Sequence, residues 1–286
     1  MATKKKAVIP EAIQQDYLRR LKTPYVKKGE EKSFFDQYQR GSGQEIKDGK
    51  FWRMISSSRL CFDLYSWMAD DDGYVDIEFE KKLVGLNGGG SPPNMDVFFE
   101  TSSEIYFIES KYTEMVSGQF SIPEAYWVET DEYHTTEGKL TNKPILTRYR
   151  GHADVKDAFV SFIKYVKNLE SQRTESTWFD SKQEICHLLG IVFYILENKP
   201  KKAVHFLNVA ANCSYDNISV PFCIKGEDMV MTLLRDNNIS TDFDYQLCGV
   251  RDFFGSFMLL DKKGYKTDRT IRELIADKTL YEAPIR

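Results

Sequence analysis

The sequence predicts an α/β protein, a mixed central sheet flanked by helices. Three observations carry this. Residues 93–111 form two runs of β-branched and aromatic residues around the polar stretch Thr101-Ser102-Ser103-Glu104, the pattern of a β-hairpin. Residues 154–169 and 180–196 repeat apolar side chains at helical spacing over several turns. The elements also follow one another as helix, three strands, helix and strand, an order that interleaves a sheet with helical layers.

From the N-terminus, residues 1 to 12 read as disordered. From Glu11 to Lys22, Ile13, Tyr17 and Leu21 recur every fourth position and predict an amphipathic helix. Arg19, Arg20, Lys22, Lys27 and Lys28 make this neighbourhood basic, which reads first as a solvated face. A second helix is expected from Ser57 to Met68, capped by one of the serines 56–58, whose hydroxyls suit the unpaired amides of a first turn. Asp70-Asp71-Asp72-Gly73 reads as a turn without the ligand spacing of a calcium loop. The stretch 74–80 then alternates, with Val75, Ile77 and Phe79 facing a core and Asp76, Glu78 and Glu80 on the other face. Gly88-Gly89-Gly90 lacks the spacing of a phosphate loop and reads as a flexible link.

In the hairpin, the four-residue turn pairs Glu100 with Ile105, Phe98 with Phe107, Asp96 with Glu109, and Asn94 with Lys111. All eight side chains then share one face, because side chains alternate along a strand. Met95, Val97, Phe99, Tyr106 and Ile108 form the opposite, apolar face, expected to pack on helices. Directly opposed Cβ atoms lie about 4.5–5.5 Å apart, so two carboxylates would sit side by side with an ammonium one step along. A solvated ion pair is the ordinary reading of such a cluster, worth about 0–1 kcal/mol. The apolar flanks argue instead for a central strand pair, where a divalent cation relieves the repulsion. Mg²⁺ suits it, since it takes oxygen ligands and keeps several waters when one or two carboxylates hold it.

Beyond Lys111, residues 112–150 are polar and turn-rich, with Arg148, Arg150 and Lys156 as candidate phosphate contacts or parts of an added structural layer. A helix is expected at 154–169 and another at 180–196, the latter capped by Asp180 or Ser181. Lys202 to Ala210 reads as a strand with His205 as a core histidine, whereas His134 and His152 read as surface residues. Glu227 to Leu234 and Thr270 to Ile275 look helical, and Phe253 to Leu260 is an apolar run. Nothing from residue 212 onward carries a chemical motif; this part could complete the core, form a dimer surface or contribute to recognition.

Composition narrows the class further. The chain has 286 residues, 42% of them hydrophobic and 29% charged, enough for a sizeable core. Its net charge of −4 excludes a general polycation but leaves room for a local positive field. No run approaches the ~18 apolar residues of a membrane span, and the lysine-rich start has no apolar core of a signal peptide. Cys61, Cys186, Cys213, Cys223 and Cys248 are widely spaced, which argues against zinc and for reduced thiols in a cytoplasm.

Asp96 followed by Glu109-Ser110-Lys111, with Pro93 ahead of the aspartate, resembles the PD-(D/E)xK signature of the restriction-endonuclease-like nucleases. The wording PPNMDVFF…IYFIESKYTE, with SSRLCFDLYSW upstream, resembles a bacterial branch of restriction endonucleases in that superfamily. The likeness runs from Ser56 to Asn212, and it departs from the pattern in spreading the Pro-Asp pair to Pro93-Asn94-Met95-Asp96. It implies a core of order αβββαβ at 51–212, with an insert at 112–178, an N-terminal basic helical extension at 1–50 and a C-terminal extension at 213–286.

The resemblance also implies the site. Asp96, Glu109 and the backbone carbonyl of Ser110 would hold Mg²⁺, with Mn²⁺ able to substitute, and Glu80 would be a third acid, Glu78 competing for that place. Lys111 would orient a water or neutralise developing charge, and Gln183, with Lys182 beside it, would approach the scissile phosphate. The implied activity is DNA phosphodiester hydrolysis in restriction or defence, with a homodimer and a methyltransferase as possible partners. Nucleases of the same fold acting on ends, branched structures or RNA, and a silent nucleic-acid-binding protein, are the alternatives.

Overall fold

The structure, a computed structural model, describes residues 8–27, 30–40, 44–53, 56–69, 76–87, 92–111, 120–135, 138–173, 178–210 and 217–249. In chain order these form α1 (Glu11–Lys22), β1 (Tyr25–Lys27), β2 (Glu30–Lys32), α2 (Phe34–Arg40) and α3 (Ser57–Tyr65), which runs into a 3₁₀ turn at Ser66–Ala69. Then come β3 (Asp76–Lys82), β4 (Asn94–Glu100), β5 (Glu104–Lys111), β6 (Glu132–His134), β7 (Leu140–Asn142), α4 (Ile145–Arg148) and α5 (Ala153–Glu170). The chain closes with α6 (Ser181–Asn198), β8 (Ala203–Ala210), α7 (Ser219–Asp236) and β9 (Phe243–Gly249).

The main sheet has the order β3-β4-β5-β8-β9. Its first three strands are antiparallel, and β8 and β9 continue parallel to β5. The protein is thus an α/β protein with a mixed five-stranded sheet flanked by helices. The fifth strand and α7 come from residues beyond 212, so that part of the chain completes the core.

The hairpin pairs as its turn dictates, Glu100 with Ile105 and Phe98 with Phe107, but the ladder stops at Val97–Ile108. Past that point each strand keeps only its other neighbour. β4 runs on against β3 to Lys82–Asn94, and β5 runs on against β8 to Lys111–Ala210. The expected pairs Asp96–Glu109 and Asn94–Lys111 therefore do not form, and the strands part to leave a gap at that end of the sheet.

Side-chain alternation also breaks there. Glu80 has φ +54°, in the left-handed region that a non-glycine residue rarely occupies, and the Glu80–Asp96 position is missing from an otherwise continuous β3–β4 ladder. Val97, Phe99 and Ile108 lie in the core beneath α1–α3, whereas Met95 joins Phe98, Ile105 and Phe107 in the core beneath α5–α7. This corrects two expectations: Met95 does not share a face with Val97, and the face carrying Phe98 and Phe107 is as apolar as the other. Tyr194 of α6 packs on both rings, at 6.0 and 5.2 Å between centroids. Each such buried aromatic contributes on the order of 1.5–3 kcal/mol of burial.

Both helices beside the gap start where their caps place them. Ser56 accepts the Arg59 N–H to open α3, and Asp180 accepts the N–H groups of Lys182 and Gln183 to open α6. Helix α6 lies hard against the sheet at Gly190, where a Cβ would come within 2.7 Å of the Leu83 Cβ.

Three further expectations change. Residues 8–10 are not disordered: Ile9 is buried and its N–H bonds the Trp52 carbonyl at 2.9 Å. His205 is no core histidine but a partly buried residue paired with Asp244. Arg148 is fully buried, and its guanidinium donates to the carbonyls of Glu124, Ala125, Val128 and Thr130. It stitches residues 120–150 together and is not available to a phosphate. Arg150 instead bonds the Gly85 carbonyl, and Lys156 pairs with Asp157. The turn at 70–73, Tyr74 and Val75, the triple glycine and the segments 253–260 and 270–275 lie outside the described residues. Among the described residues no helix is long and apolar enough to cross a membrane.

Candidate active site

Where β4 and β5 part, a cavity of about 540 Å³ opens between the starts of α3 and α6. Asp96, Glu109, Lys111, Glu80 and Gln183 all line it, residues drawn from three strands and a helix. Sequence separation hides this grouping, and the strand order creates it.

Glu109 is almost wholly buried. Its Oε1 accepts from Lys111 Nζ at 2.7 Å and from Gln183 Nε2 at 2.8 Å. Lys111 Nζ also donates to Gln183 Oε1 at 2.7 Å, closing a triangle in which each member holds the other two. Two residues apart on β5, the acid and the amine point the same way by strand geometry, and Gln183 meets them from the first turn of α6. The second oxygen, Oε2, is buried without a hydrogen bond, and His187 Nδ1 stands 3.7 Å from it. His187 in turn donates through Nε2 to the Asn94 carbonyl at 3.0 Å. Since a carbonyl only accepts, that contact places a proton on Nε2.

Asp96 reaches across the gap to accept the Ser110 N–H at 2.8 Å. Glu80 accepts from the Asn94 amide at 3.3 Å. Its left-handed backbone sits beside Asp96, the kind of strained position that surrounding structure must impose. Glu78 turns away to pair with Lys81 at 2.9 Å, so of the two candidates for a third acid only Glu80 lines the cavity.

The acids are crowded, and their protonation reflects it. Burial, then the Glu109 charge, raises Asp96 well above the usual aspartate range, against the pull of Lys111 and the Ser110 N–H. Burial lifts Glu80 to about 7, with Glu45 and Glu109 adding and the Asn94 amide opposing. Burial works against the Lys111 ammonium, but the Glu109 and Asp96 charges outweigh it and keep the amine above its ordinary value. Burial likewise lowers His187, against the attraction of Glu109. Asp96 and Glu80 are thus pushed toward their protonated forms, and a divalent cation between the acids would favour their charged forms instead.

Among the described residues, no three His, Cys, Asp or Glu side chains converge as a ready-made metal cage. The donor chemistry nonetheless fits a hard cation: two carboxylates on neighbouring strands, with one buried carboxylate oxygen left without a hydrogen bond. Ser110 directly follows Glu109 in the chain, its N–H already committed to Asp96.

Sequence reasoning missed Glu45, His187 and Glu184. Glu45 lines the cavity from the turn before α3. His187 stands one helical turn after Gln183, so the i, i+4 spacing on a helix starting at Asp180 was the signal that could have found it. Glu184 points inward beneath the site. Comparison with protein-family models, with curated proteins and with solved structures found no match to this chain.

Proposed function

We propose that the chain is a metal-dependent nuclease of the PD-(D/E)xK type on a restriction-endonuclease-like core, hydrolysing DNA phosphodiester bonds in restriction or related defence. The observation that carries this is the buried Lys111–Glu109–Gln183 triangle beside Asp96, with a carboxylate oxygen of Glu109 lacking a hydrogen bond. The succession α3, β3, β4, β5, α6, β8, with an antiparallel hairpin and a parallel return strand, agrees with that core. A buried carboxylate oxygen without a partner costs about 1–3 kcal/mol, a penalty that a bound cation would relieve.

Asp96, Glu109 and the Ser110 carbonyl would hold Mg²⁺ or Mn²⁺, with Glu80 as a further acid lining the same cavity. When bound, the ion supplies Lewis acidity at a phosphoryl oxygen and makes a water more acidic. The chain's own part is positional and electrostatic. Lys111, kept protonated by two carboxylates and fixed by Gln183, presents a positive charge where negative charge develops on the phosphate. Gln183 keeps that ammonium from collapsing onto Glu109 in any other geometry. A homodimer would supply the second cut of a duplex, and a methyltransferase would protect the host.

The test is a substrate panel in Mg²⁺ or Mn²⁺: unmodified supercoiled and linear DNA, branched DNA, single strands and RNA. Discrete fragments from duplex DNA support restriction. Cleavage only of ends, branches or RNA keeps the chemistry and moves the substrate. Binding without cleavage on every substrate removes the enzyme reading.

A further inference from the structure

Beneath the site, on the side away from the cavity, lies a polar cluster that the proposed chemistry does not use. Glu184, Asn208 and Tyr245 are all buried, with relative exposures of 1%, 0% and 4%. Glu184 Oε2 accepts from Asn208 Nδ2 at 2.7 Å and from the Tyr245 hydroxyl at 2.7 Å, and Asn208 Nδ2 also lies 2.9 Å from that hydroxyl. The three come from α6, β8 and β9. Tyr245 is itself fixed twice, by its N–H to Glu227 Oε2 of α7 at 3.0 Å and by its ring stacked on Phe206 at 4.4 Å.

Placement ties the cluster to the site. Asn208 is the partner of Glu109 in the parallel β5–β8 ladder, so their side chains emerge side by side on one face of the sheet. Glu184 directly follows Gln183 on the first turn of α6, and a helix rotates about 100° per residue. One side chain therefore reaches Glu109 and Lys111 while the next reaches Asn208 and Tyr245. Anchoring Glu184 sets both the height and the rotation of that turn over the end of β5.

As a source of stability the cluster is a poor choice. A core otherwise built of Phe206, Leu188, Phe222 and their neighbours would gain by apolar replacements, since buried polar groups are costly unless every one is satisfied. Asn208 Oδ1 has no hydrogen-bond partner. What such a network provides in return is a single geometry.

We infer that Glu184, Asn208 and Tyr245 are positioning residues, which lock the first turn of α6 to β8 and β9 so that Gln183 holds Lys111 in place at Glu109. The inference rests on the nuclease reading, and it gives α7 and β9 a task at the site although neither lines the cavity.

The test uses the full chain with Glu184→Leu, Glu184→Gln and Tyr245→Phe, together with Lys111→Ala. Two readouts are taken: cleavage kinetics in Mn²⁺, and the rate at which an amine-reactive reagent labels Lys111, followed by mass spectrometry. Circular dichroism and thermal melting report the fold. Glu184→Leu should lose about 10- to 100-fold in kcat, the scale of a small misplacement of a catalytic group, with little change in KM. Its Lys111 should label several-fold faster, and its melting temperature should fall while circular dichroism stays that of the folded chain, since Asn208 and the Tyr245 hydroxyl lose their acceptor. Glu184→Gln, which still accepts both hydrogen bonds, should recover most of the rate. Tyr245→Phe should fall between them. Unchanged kcat and wild-type labelling in Glu184→Leu would overturn the inference, even with Lys111→Ala inactive. A wild type that cleaves nothing would remove the nuclease reading, and the labelling comparison would still decide whether the network positions Lys111.

Discussion

The two ends of the β4–β5 hairpin use the same residue types to opposite effect. At the turn end, Glu100 pairs with Lys202 at 3.1 Å and receives the Tyr194 hydroxyl at 3.3 Å. Glu104 receives the Tyr106 hydroxyl at 2.9 Å, and His205 stands between Glu104 and Asp244. Water reaches these groups; the Glu100 and Lys202 side chains are 30% and 31% exposed. At the parted end, Glu109 and Lys111 are 1% and 13% exposed, two more carboxyls crowd the same space, and an oxygen of Glu109 is left without a hydrogen bond. Carboxylates and cations alone therefore do not mark a site. What separates the ends is where the ladder stops: a closed hairpin lets charges find partners and solvent, while parted strands hold acids together and bury them.

The comparison breaks most visibly if the parted end is neutralised. Lys111→Ala and Asp96→Asn should each lower metal-dependent cleavage by roughly 10²–10³-fold or more, the loss seen when one preorganised charge-stabilising group is removed. Without divalent cation, Asp96→Asn should raise the melting temperature, because it removes an acid whose ionisation burial and Glu109 oppose. Added Mn²⁺ should raise the wild-type melting temperature and leave Asp96→Asn nearly unmoved, since a ligand stabilises the state that binds it.

Next in size is Gly190→Ala. Its methyl group would overlap Leu83 and lift α6, the helix that carries Gln183, from the sheet. Overpacking of this kind costs about 1–3 kcal/mol, visible as a lower midpoint in urea together with a reduced cleavage rate.

The turn end should respond to pH but leave cleavage alone. Burial works against protonated His205, yet the Asp244 hydrogen bond and charge, with Glu104, outweigh it and raise the imidazole above its ordinary value. A raised folded value means that this stabilisation is complete below the unfolded histidine pKa of about 6.5 and fades as pH rises through the higher folded value. His205→Gln should thus be less stable than wild type at pH 6, with the gap narrowing as pH climbs. A constant gap would show that the pair is not what the substitution removes. Smallest of all, Lys202→Ala should cost about 1 kcal/mol or less, as partly exposed ion pairs do.

Much of this was legible in the chain. The register next to the turn followed from the length of Thr101–Glu104, and the candidate acids, Lys111 and Gln183 were named from strand alternation, resemblance and helix capping. Where the ladder ends was not legible, because β3 and β8 draw the strands apart and both lie far away in sequence. Met95 was misplaced for a related reason: a left-handed Glu80 interrupts alternation, and nothing in its residue type announces that. Arg148 looked like a phosphate contact because its partners are main-chain carbonyls, which leave no mark in a sequence. β9 did leave one, in the alternation of Phe243, Tyr245 and Leu247 with Asp244 and Gln246, but its place in the sheet depends on α7 returning the chain beside β8.

The most direct measurement is a single gel of unmodified supercoiled plasmid incubated in Mn²⁺ with wild type, Asp96→Asn, Lys111→Ala and, as the turn-end control, Glu104→Gln. The account predicts cutting by wild type and by Glu104→Gln, lost in the other two and lost for all on adding EDTA. Cutting that survives Asp96→Asn and Lys111→Ala, or a plasmid that stays intact with folded wild type and Mn²⁺, would contradict it.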